Sequence, residues 1–80
     1  MFWKKPEIID REFLLKHGFE ERFNGTKPFY EREGKYGYEV KIYPYVTESH
    51  FDFFWTVNGV LYPDLKKEES NRVLTVIETV

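Results

Sequence analysis

The spacing of apolar positions changes twice along the chain and divides it into three parts. In the first part, Asp10 directly precedes a segment with an acidic first turn and basic residues in its last turn, which is the pattern of a capped helix. Ile9 and Leu14 occupy the two positions of a hydrophobic staple. Because Gly18 follows the last turn, the pattern predicts a short helix over residues 11–17.

In residues 19–62, short runs of aromatic and β-branched residues alternate with turn-forming residues, which predicts an antiparallel meander. The dipeptides Asn24-Gly25 and Asn58-Gly59 favour two-residue hairpin turns, whose twist matches that of the flanking strands. The expected closing pairs of these hairpins are Phe23 with Thr26 and Val57 with Val60.

The pairing of the central strands can be tested within the sequence, because a correct register places the apolar residues of both strands on one face. If Val46 is joined to Phe51 across a loop of residues 47–50, Ile42 lies opposite Trp55. This register gives a coherent core face. The residues assigned to that face are Val40, Ile42, Pro44, Phe53, Trp55, Val57 and Tyr62.

The same register gives the sheet a second face, which carries aromatic and charged residues. If neither helix covers this face, it is an aromatic patch with a polar rim, which is the composition of a protein interface. If one helix covers each face, the same residues form a second small core. The partner-binding residues expected from the first alternative are Tyr43, Tyr45, Phe54, Leu61 and Lys41.

The C-terminal segment is ambiguous, because its β-branched residues also suit a strand. At about 100° per residue, the apolar residues of positions 73–80 fall within an arc of roughly 160°, which favours a helix. Pro63-Asp64 is the predicted start of this helix, and Glu68 and Arg72 form a correctly oriented pair four residues apart. An edge strand over residues 72–80 is the alternative.

Length and composition limit the class of protein. Eighty residues hold one core, so we expect a single α+β domain over residues 1–80, with a short N-terminal helix, a four- to five-stranded antiparallel meander and a C-terminal helix. The chain has no cysteine to form a disulfide or a thiolate metal site, and aromatic residues, 20% of the chain, are expected to supply the core. A net charge of −2 argues against nucleic-acid binding as a function.

Neither an export signal nor an apolar run of membrane-spanning length is recognisable, so we expect a cytoplasmic protein without a membrane partner. The sequence also predicts no catalytic, metal-binding or cofactor-binding residues. His17 and His50 are isolated from each other, and Asp52 shares a strand side with His50 without being placed in contact with it. The segment 34–37 lacks the spacing of a phosphate-binding loop. We therefore expect a protein that is not an enzyme.

Residues 13–20 (FLLKHGFE), followed by Phe29-Tyr30-Glu31 and by residues 62–65 (YPDL), resemble segments of many small uncharacterised proteins of phages and mobile elements. In those proteins a short helix that ends in Gly-Phe precedes an aromatic meander. The resemblance implies an inhibitor or adaptor that binds a host protein, and it carries over no functional residue.

Together, the sequence observations predict a noncatalytic protein-binding module that uses its aromatic sheet face, either on a foreign protein or in a homodimer. The alternative is a binder of a small ligand or nucleotide that works at an oligomer interface.

Overall fold

The computed structural model describes residues 7–45 and 52–80, which form a short helix, a five-stranded antiparallel sheet and a C-terminal helix. Strands that follow one another in the chain are neighbours in the sheet, so the expected α+β meander is confirmed. The predicted loop of residues 47–50, with its flanking pair Val46 and Phe51, lies outside the described residues. The elements are α1 (Arg11–Lys16), β1 (Glu20–Asn24), β2 (Lys27–Glu33), β3 (Glu39–Pro44), β4 (Phe53–Val57), β5 (Val60–Leu65) and α2 (Ser70–Thr79).

Helix α1 begins at Arg11, as the sequence predicts, and ends at Lys16, one residue before the predicted end, with His17 as its C-cap. The Asp10 side chain accepts a hydrogen bond from the Phe13 backbone N–H at 2.8 Å, which satisfies one of the donors that a helix start leaves unpaired. Ile9 and Leu14, the expected staple, are both buried. Gly18 follows the helix at φ +86°, a conformation that glycine adopts without steric cost.

The turn of the first hairpin differs from the prediction. Asn24 pairs with Lys27, so the turn consists of Gly25 and Thr26, and the expected closing pair of Phe23 with Thr26 is wrong. Gly25 has φ +67°, as the first residue of a type II′ turn requires. Glycine in that position thus fixes a hairpin one residue further along the chain than Asn24-Gly25 predicts.

The other predicted registers are confirmed. Ile42 lies opposite Trp55 in the β3–β4 pair, and Tyr62 lies opposite Trp55 in the β4–β5 pair. Asn58 and Gly59 both have positive φ, +50° and +85°, as a type I′ hairpin turn requires. The β4–β5 ladder also contains an irregularity, because β5 has one residue more than β4 after Tyr62.

Both helices pack against the same face of the sheet, a choice that the sequence leaves open. Side chains of α1 and α2 join the predicted core residues of the sheet in one buried cluster. The hydrophobic core is therefore one layer between the two helices and the sheet. Its buried members are Ile9, Phe13, Leu14, Phe19, Tyr30, Val40, Ile42, Trp55, Leu65, Val73 and Ile77.

The C-terminal segment is a helix, as its periodicity predicts, but this helix begins later than Pro63-Asp64 suggests. Residues 63–65 belong to β5, and Leu65 is fully buried and pairs with Phe53. Helix α2 begins only at Ser70. The burial of Leu65 in the sheet outweighs the local signal for a helix start, because such signals are weak relative to tertiary packing.

The predicted partner of Arg72 is also wrong. Arg72 Nη1 lies 3.0 Å from Glu69 Oε2, and Arg72 Nη2 lies 4.0 Å from Asp64 Oδ1; Glu68, the residue expected four positions earlier, is not the partner. The later start of α2 explains the difference, since Glu68 precedes the helix and the spacing of four residues applies only within one.

The turn between β2 and β3 holds the C-terminal end of α2. The Lys35 backbone N–H donates to the Ile77 carbonyl at 2.9 Å, and the Tyr36 N–H donates to the Val80 carbonyl at 2.6 Å. These bonds satisfy carbonyls that the end of a helix leaves unpaired. Gly34 lies so close to this end that a Cβ there would be 2.6 Å from the Val80 carbonyl carbon.

A shared hydrogen-bond acceptor links α1 to the first hairpin. The Tyr30 hydroxyl and Arg11 Nε both donate to Glu21 Oε2, at 2.9 and 3.0 Å. These two bonds, that of Arg11 being the larger cause, lower the pKa of Glu21. Burial, and then the Glu21 carboxylate, raise the pKa of Tyr30 to about 12.

We expect Glu21→Gln to lower the free energy of unfolding at neutral pH and to have less effect in acid. A carboxyl whose pKa is lower in the folded chain than in the unfolded chain stabilises the fold above its ordinary pKa of 4.5. This stabilisation is lost as the pH falls through the lower, folded value. Urea unfolding of both proteins at about pH 7 and about pH 3 measures the effect. If the free energies of unfolding of the original protein and the Glu21→Gln variant differed by the same amount at both pH values, the role given to the carboxylate would be contradicted.

Candidate protein-binding face

The sheet face opposite the helices carries a row of aromatic side chains from strands β2, β3 and β4 and from Tyr45, which directly follows β3. The rings of Phe29 and Tyr43 stack with centroids 5.3 Å apart and an interplanar angle of 20°. Tyr43 and Phe54 are closer and more parallel, at 4.7 Å and 8°. Tyr45 meets Phe54 edge-on, at 5.3 Å and 60°. We call these four residues the aromatic row.

The stacked rings stand upright on the sheet. Neighbouring strands lie about 4.7–4.9 Å apart, and the centroids of Tyr43 and Phe54 have nearly the same separation, 4.7 Å. Two nearly parallel rings at this distance must face each other, because rings lying side by side cannot approach so closely. Tyr43 is therefore covered on both faces by the rings of Phe29 and Phe54, and the edges of the stacked rings point away from the sheet.

Paired charges border the aromatic row on its β1 side. Arg22 lies opposite Phe29 in the register. Its Nε donates to Glu31 Oε1 at 2.8 Å, and its Nη2 donates to Glu20 Oε2 at 2.5 Å. The hydrogen bond with Glu31, followed by the charge of Glu20, raises the pKa of Arg22. These contacts form a charged rim beside the rings.

Lys41 borders the row on β3. Its Nζ lies 5.9 Å from the Phe29 ring centroid, within the range of a cation–π interaction, and 3.3 Å from Glu39 Oε1. The hydrogen bond with Glu39 raises the pKa of Lys41. Lys41 is therefore a charged residue at neutral pH that covers one end of the row.

The five residues that the sequence predicts as partner-binding lie on this one face. Tyr43, Tyr45 and Phe54 are members of the aromatic row, each half-buried, and Lys41 adjoins it. Leu61, on β5, lies opposite Thr56 and is 58% exposed. Their common location confirms the predicted register; a role in binding stays a prediction.

Sequence reasoning missed Phe29 and Arg22, because it did not extend the register from β3 to β2 and β1. The sequence alone does not determine these pairings; in the structure, Tyr30 lies opposite Ile42 on the core side. Since side chains alternate along a strand, a buried Tyr30 places its neighbour Phe29 on the opposite face, beside Tyr43.

In the part of the chain that the structure describes, neither helix covers the aromatic row. The buried residues of α1 and α2 belong to the cluster on the other side of the sheet. The alternative in which one helix covers each face is therefore wrong for residues 7–45 and 52–80.

The residues considered for catalysis have structural contacts. The His17 ring packs 4.5 Å from the Phe13 ring, and its buried Nε2 has no hydrogen-bond partner among the described residues. Asp52 Oδ2 accepts a hydrogen bond from the Lys67 backbone N–H at 2.8 Å. His50 lies outside the described residues. Within residues 7–45 and 52–80, no group of three or more His, Cys, Asp or Glu side chains is placed to hold a metal ion.

Known protein families, characterised proteins and solved structures show no match to this chain. Among the helices that the structure describes, none is long and apolar enough to cross a membrane. The geometry of the aromatic row and its charged rim is thus the main observation that bears on function.

Proposed function

We propose that this protein is a noncatalytic binding module that contacts another protein through the sheet face carrying the aromatic row. The observation that supports this function is a line of stacked rings, bordered by paired charges, on a face that neither helix covers in the described part of the chain. Protein interfaces combine such an aromatic centre with a polar rim. Leu61 and the edges of the rings are the apolar contacts, and Lys41 and Arg22 are the basic groups of the rim.

The geometry of the rings favours a protein partner over a nucleic acid. Proteins that stack bases offer open aromatic faces, whereas Tyr43 in the middle of the row has Phe29 against one face and Phe54 against the other. The charged rim also opposes phosphate, since it holds more acids than bases. Its acids are Glu20, Glu31 and Glu39, and its bases are Arg22 and Lys41.

The two edges of the sheet are poorly suited to bind a partner by strand addition. Edge strand β1 consists mainly of charged residues, which discourage pairing with another chain. Edge strand β5 contains Pro63, which has no backbone N–H to donate, and the ladder is irregular beside it. Contact through the sheet face is therefore favoured over contact through an edge.

The biological role that we propose is that of a cytoplasmic inhibitor or adaptor that occupies a surface of a host protein. The resemblance to small phage and mobile-element proteins supports this role, and the sheet face supplies the contact. Self-association through the same face is the other form that such a contact can take, because two copies present the same apolar row and rim.

A matched pair of substitutions on β5 tests the proposal. Leu61 lies on the aromatic side and Val60 on the helix side, and their exposures are nearly equal at 58% and 59%. We expect Leu61→Glu to weaken the association, with the partner or with a second copy, at least tenfold, because it places a charge in an apolar contact. Val60→Glu should leave the affinity within about twofold.

Quantitative capture from host extract, together with light scattering of the purified variants, measures both forms of association. The two glutamate variants should show similar urea unfolding, so a difference in affinity reports on the face and not on folding. Equal losses of affinity in both variants, or a loss of affinity only in Val60→Glu, would contradict the proposed contact.

A further inference from the structure

A polar hollow adjoins the aromatic row at the end of the sheet where β1 begins, β2 ends and β3 begins. Its volume is about 420 Å³. We call it the acidic hollow, because four carboxylates and only two guanidiniums line it. These charged residues are Glu20, Glu31, Glu33 and Glu39, with Arg22 and Arg32.

The acidic hollow and the aromatic row belong to one face of the sheet. Glu31 and Glu33 alternate with Phe29 along β2, and Glu39 lies four residues before Tyr43 on β3. Four residues of a strand span about 13 Å. One partner surface can therefore contact the ring edges and the hollow at the same time.

Two pairs of glutamates oppose each other across neighbouring strands in the acidic hollow. Glu20 lies opposite Glu31 in the β1–β2 pair, and Glu33 lies opposite Glu39 in the β2–β3 pair. Like charges directly opposite each other destabilise a pair of strands. A cationic group placed between the carboxylates would relieve this repulsion.

The bases of the protein itself neutralise these two pairs unequally. Arg22 donates to both carboxylates of the first pair. In the second pair, Lys41 Nζ lies 3.3 Å from Glu39 Oε1, whereas Glu33 forms no ion pair within the part of the chain that the structure describes. Arg32 donates to two backbone carbonyls instead. The Glu33 side of the hollow therefore keeps an unbalanced negative charge.

The charge of the hollow favours a basic group from a foreign protein. A guanidinium donates strong, charge-assisted hydrogen bonds to carboxylates. A second copy of this chain would bring the same excess of carboxylates to the contact, and like charges repel. A free cation lacks the apolar side chains that fit the adjoining ring edges.

We propose that the partner of the sheet face is a foreign protein that places an arginine or lysine side chain in the acidic hollow. Apolar side chains beside that base contact the ring edges of the aromatic row and Leu61. This inference rests on the proposed binding function and names the chemistry of the partner's surface.

A pair of synthetic peptides tests the charge of the partner. The probe acetyl-LSLSRSR-amide carries leucine and arginine at alternate positions, and its counterpart has citrulline, which is uncharged, in place of each arginine. ¹⁵N–¹H spectra of the full chain follow both titrations. In about 50 mM salt, we expect saturable shifts at Glu33 and Glu39 and an at least threefold lower dissociation constant for the arginine peptide. This difference should shrink in about 500 mM salt, because salt screens exposed charges.

Two double substitutions with the same change of net charge provide the matched control. Glu33→Gln with Glu39→Gln should weaken binding of the arginine peptide at least threefold, by about the loss of two exposed ion pairs. Glu12→Gln with Glu68→Gln removes two exposed acids outside the hollow and should change binding by less than twofold. Urea unfolding should show no loss of stability in the first variant, because it removes a pair of opposed like charges.

Equal affinities of the two peptides, or equal effects of the two double substitutions, would overturn the basic partner. Leu61→Ser should weaken both peptides alike, so in either case this variant shows whether the face still binds through its apolar contacts. Unmoved Glu33 and Glu39 signals with the arginine peptide would also overturn the inference. The comparison of Leu61→Glu with Val60→Glu tests the proposed function separately.

Discussion

Ile42→Ala is expected to lower the free energy of unfolding by about 2–5 kcal/mol, whereas Tyr43→Ala is expected to lower it by only about 1 kcal/mol. The two residues are neighbours on β3 and lie on opposite faces of the sheet. Ile42 is fully buried in the core, so alanine leaves a cavity there. Tyr43 loses only its cross-strand contacts with Phe29 and Phe54.

Urea unfolding followed by far-ultraviolet circular dichroism measures both losses. A chain of this length has a total stability of roughly 4–12 kcal/mol, so Ile42→Ala removes a large part of it. The neighbouring residues Phe54 and Trp55 on β4 repeat the comparison. We expect about 1 kcal/mol for Phe54→Ala and about 3–5 kcal/mol for Trp55→Ala. Losses of equal size on the two faces would mean that the aromatic row is a second core and not a contact surface.

Gly34→Ala is expected to lower the free energy of unfolding by about 1–3 kcal/mol through overpacking. The added Cβ would lie 2.6 Å from the Val80 carbonyl carbon and 2.9 Å from Val80 Cγ2. The first of these atoms is backbone, so it cannot move aside by a change of rotamer. Because the turn also bonds to the carbonyls of Ile77 and Val80, the clash should loosen the end of α2.

Gly37, in the same turn, provides the control for this substitution. A Cβ at Gly37 would have nothing within 4 Å, but its φ of +83° requires a residue that tolerates the left-handed conformation. Asparagine does so, and we expect Gly37→Asn to cost less than about 1 kcal/mol. Thermal unfolding and the helical circular dichroism signal compare the two variants. If Gly37→Asn destabilised the protein as much as Gly34→Ala, close contact with Val80 would not be the cause.

The pairing of the central strands can be predicted from sequence, because a slip of one residue would place Ile42 and Trp55 on opposite faces of the sheet. The first hairpin is different. Asn24-Gly25 and Gly25-Thr26 are both acceptable turn sequences, and the choice between them is made by the pairing of the whole strand. Local residue preferences do not contain that information.

The residues of the candidate site also differ in how far the sequence alone can place them. Tyr43 and Phe54 can be placed together because one strand pair determines their positions. The inclusion of Phe29 depends on the β2–β3 pairing, for which the glycine-containing segment 34–37 gives no unique turn length. The position of α2 on the sheet is set by the burial of Val73 and Ile77 and not by a sequence motif.

Site-specific photocrosslinking in host cells tests the proposed contact face most directly. The photoreactive residue p-benzoylphenylalanine replaces Leu61 in one variant and Val60 in the other, two exposed neighbours on opposite faces of β5. We predict a discrete crosslinked product, with a partner protein or a second copy of the chain, from position 61 and at most a minor product from position 60. No product from position 61, or equal products from both positions, would contradict a binding function for the aromatic face.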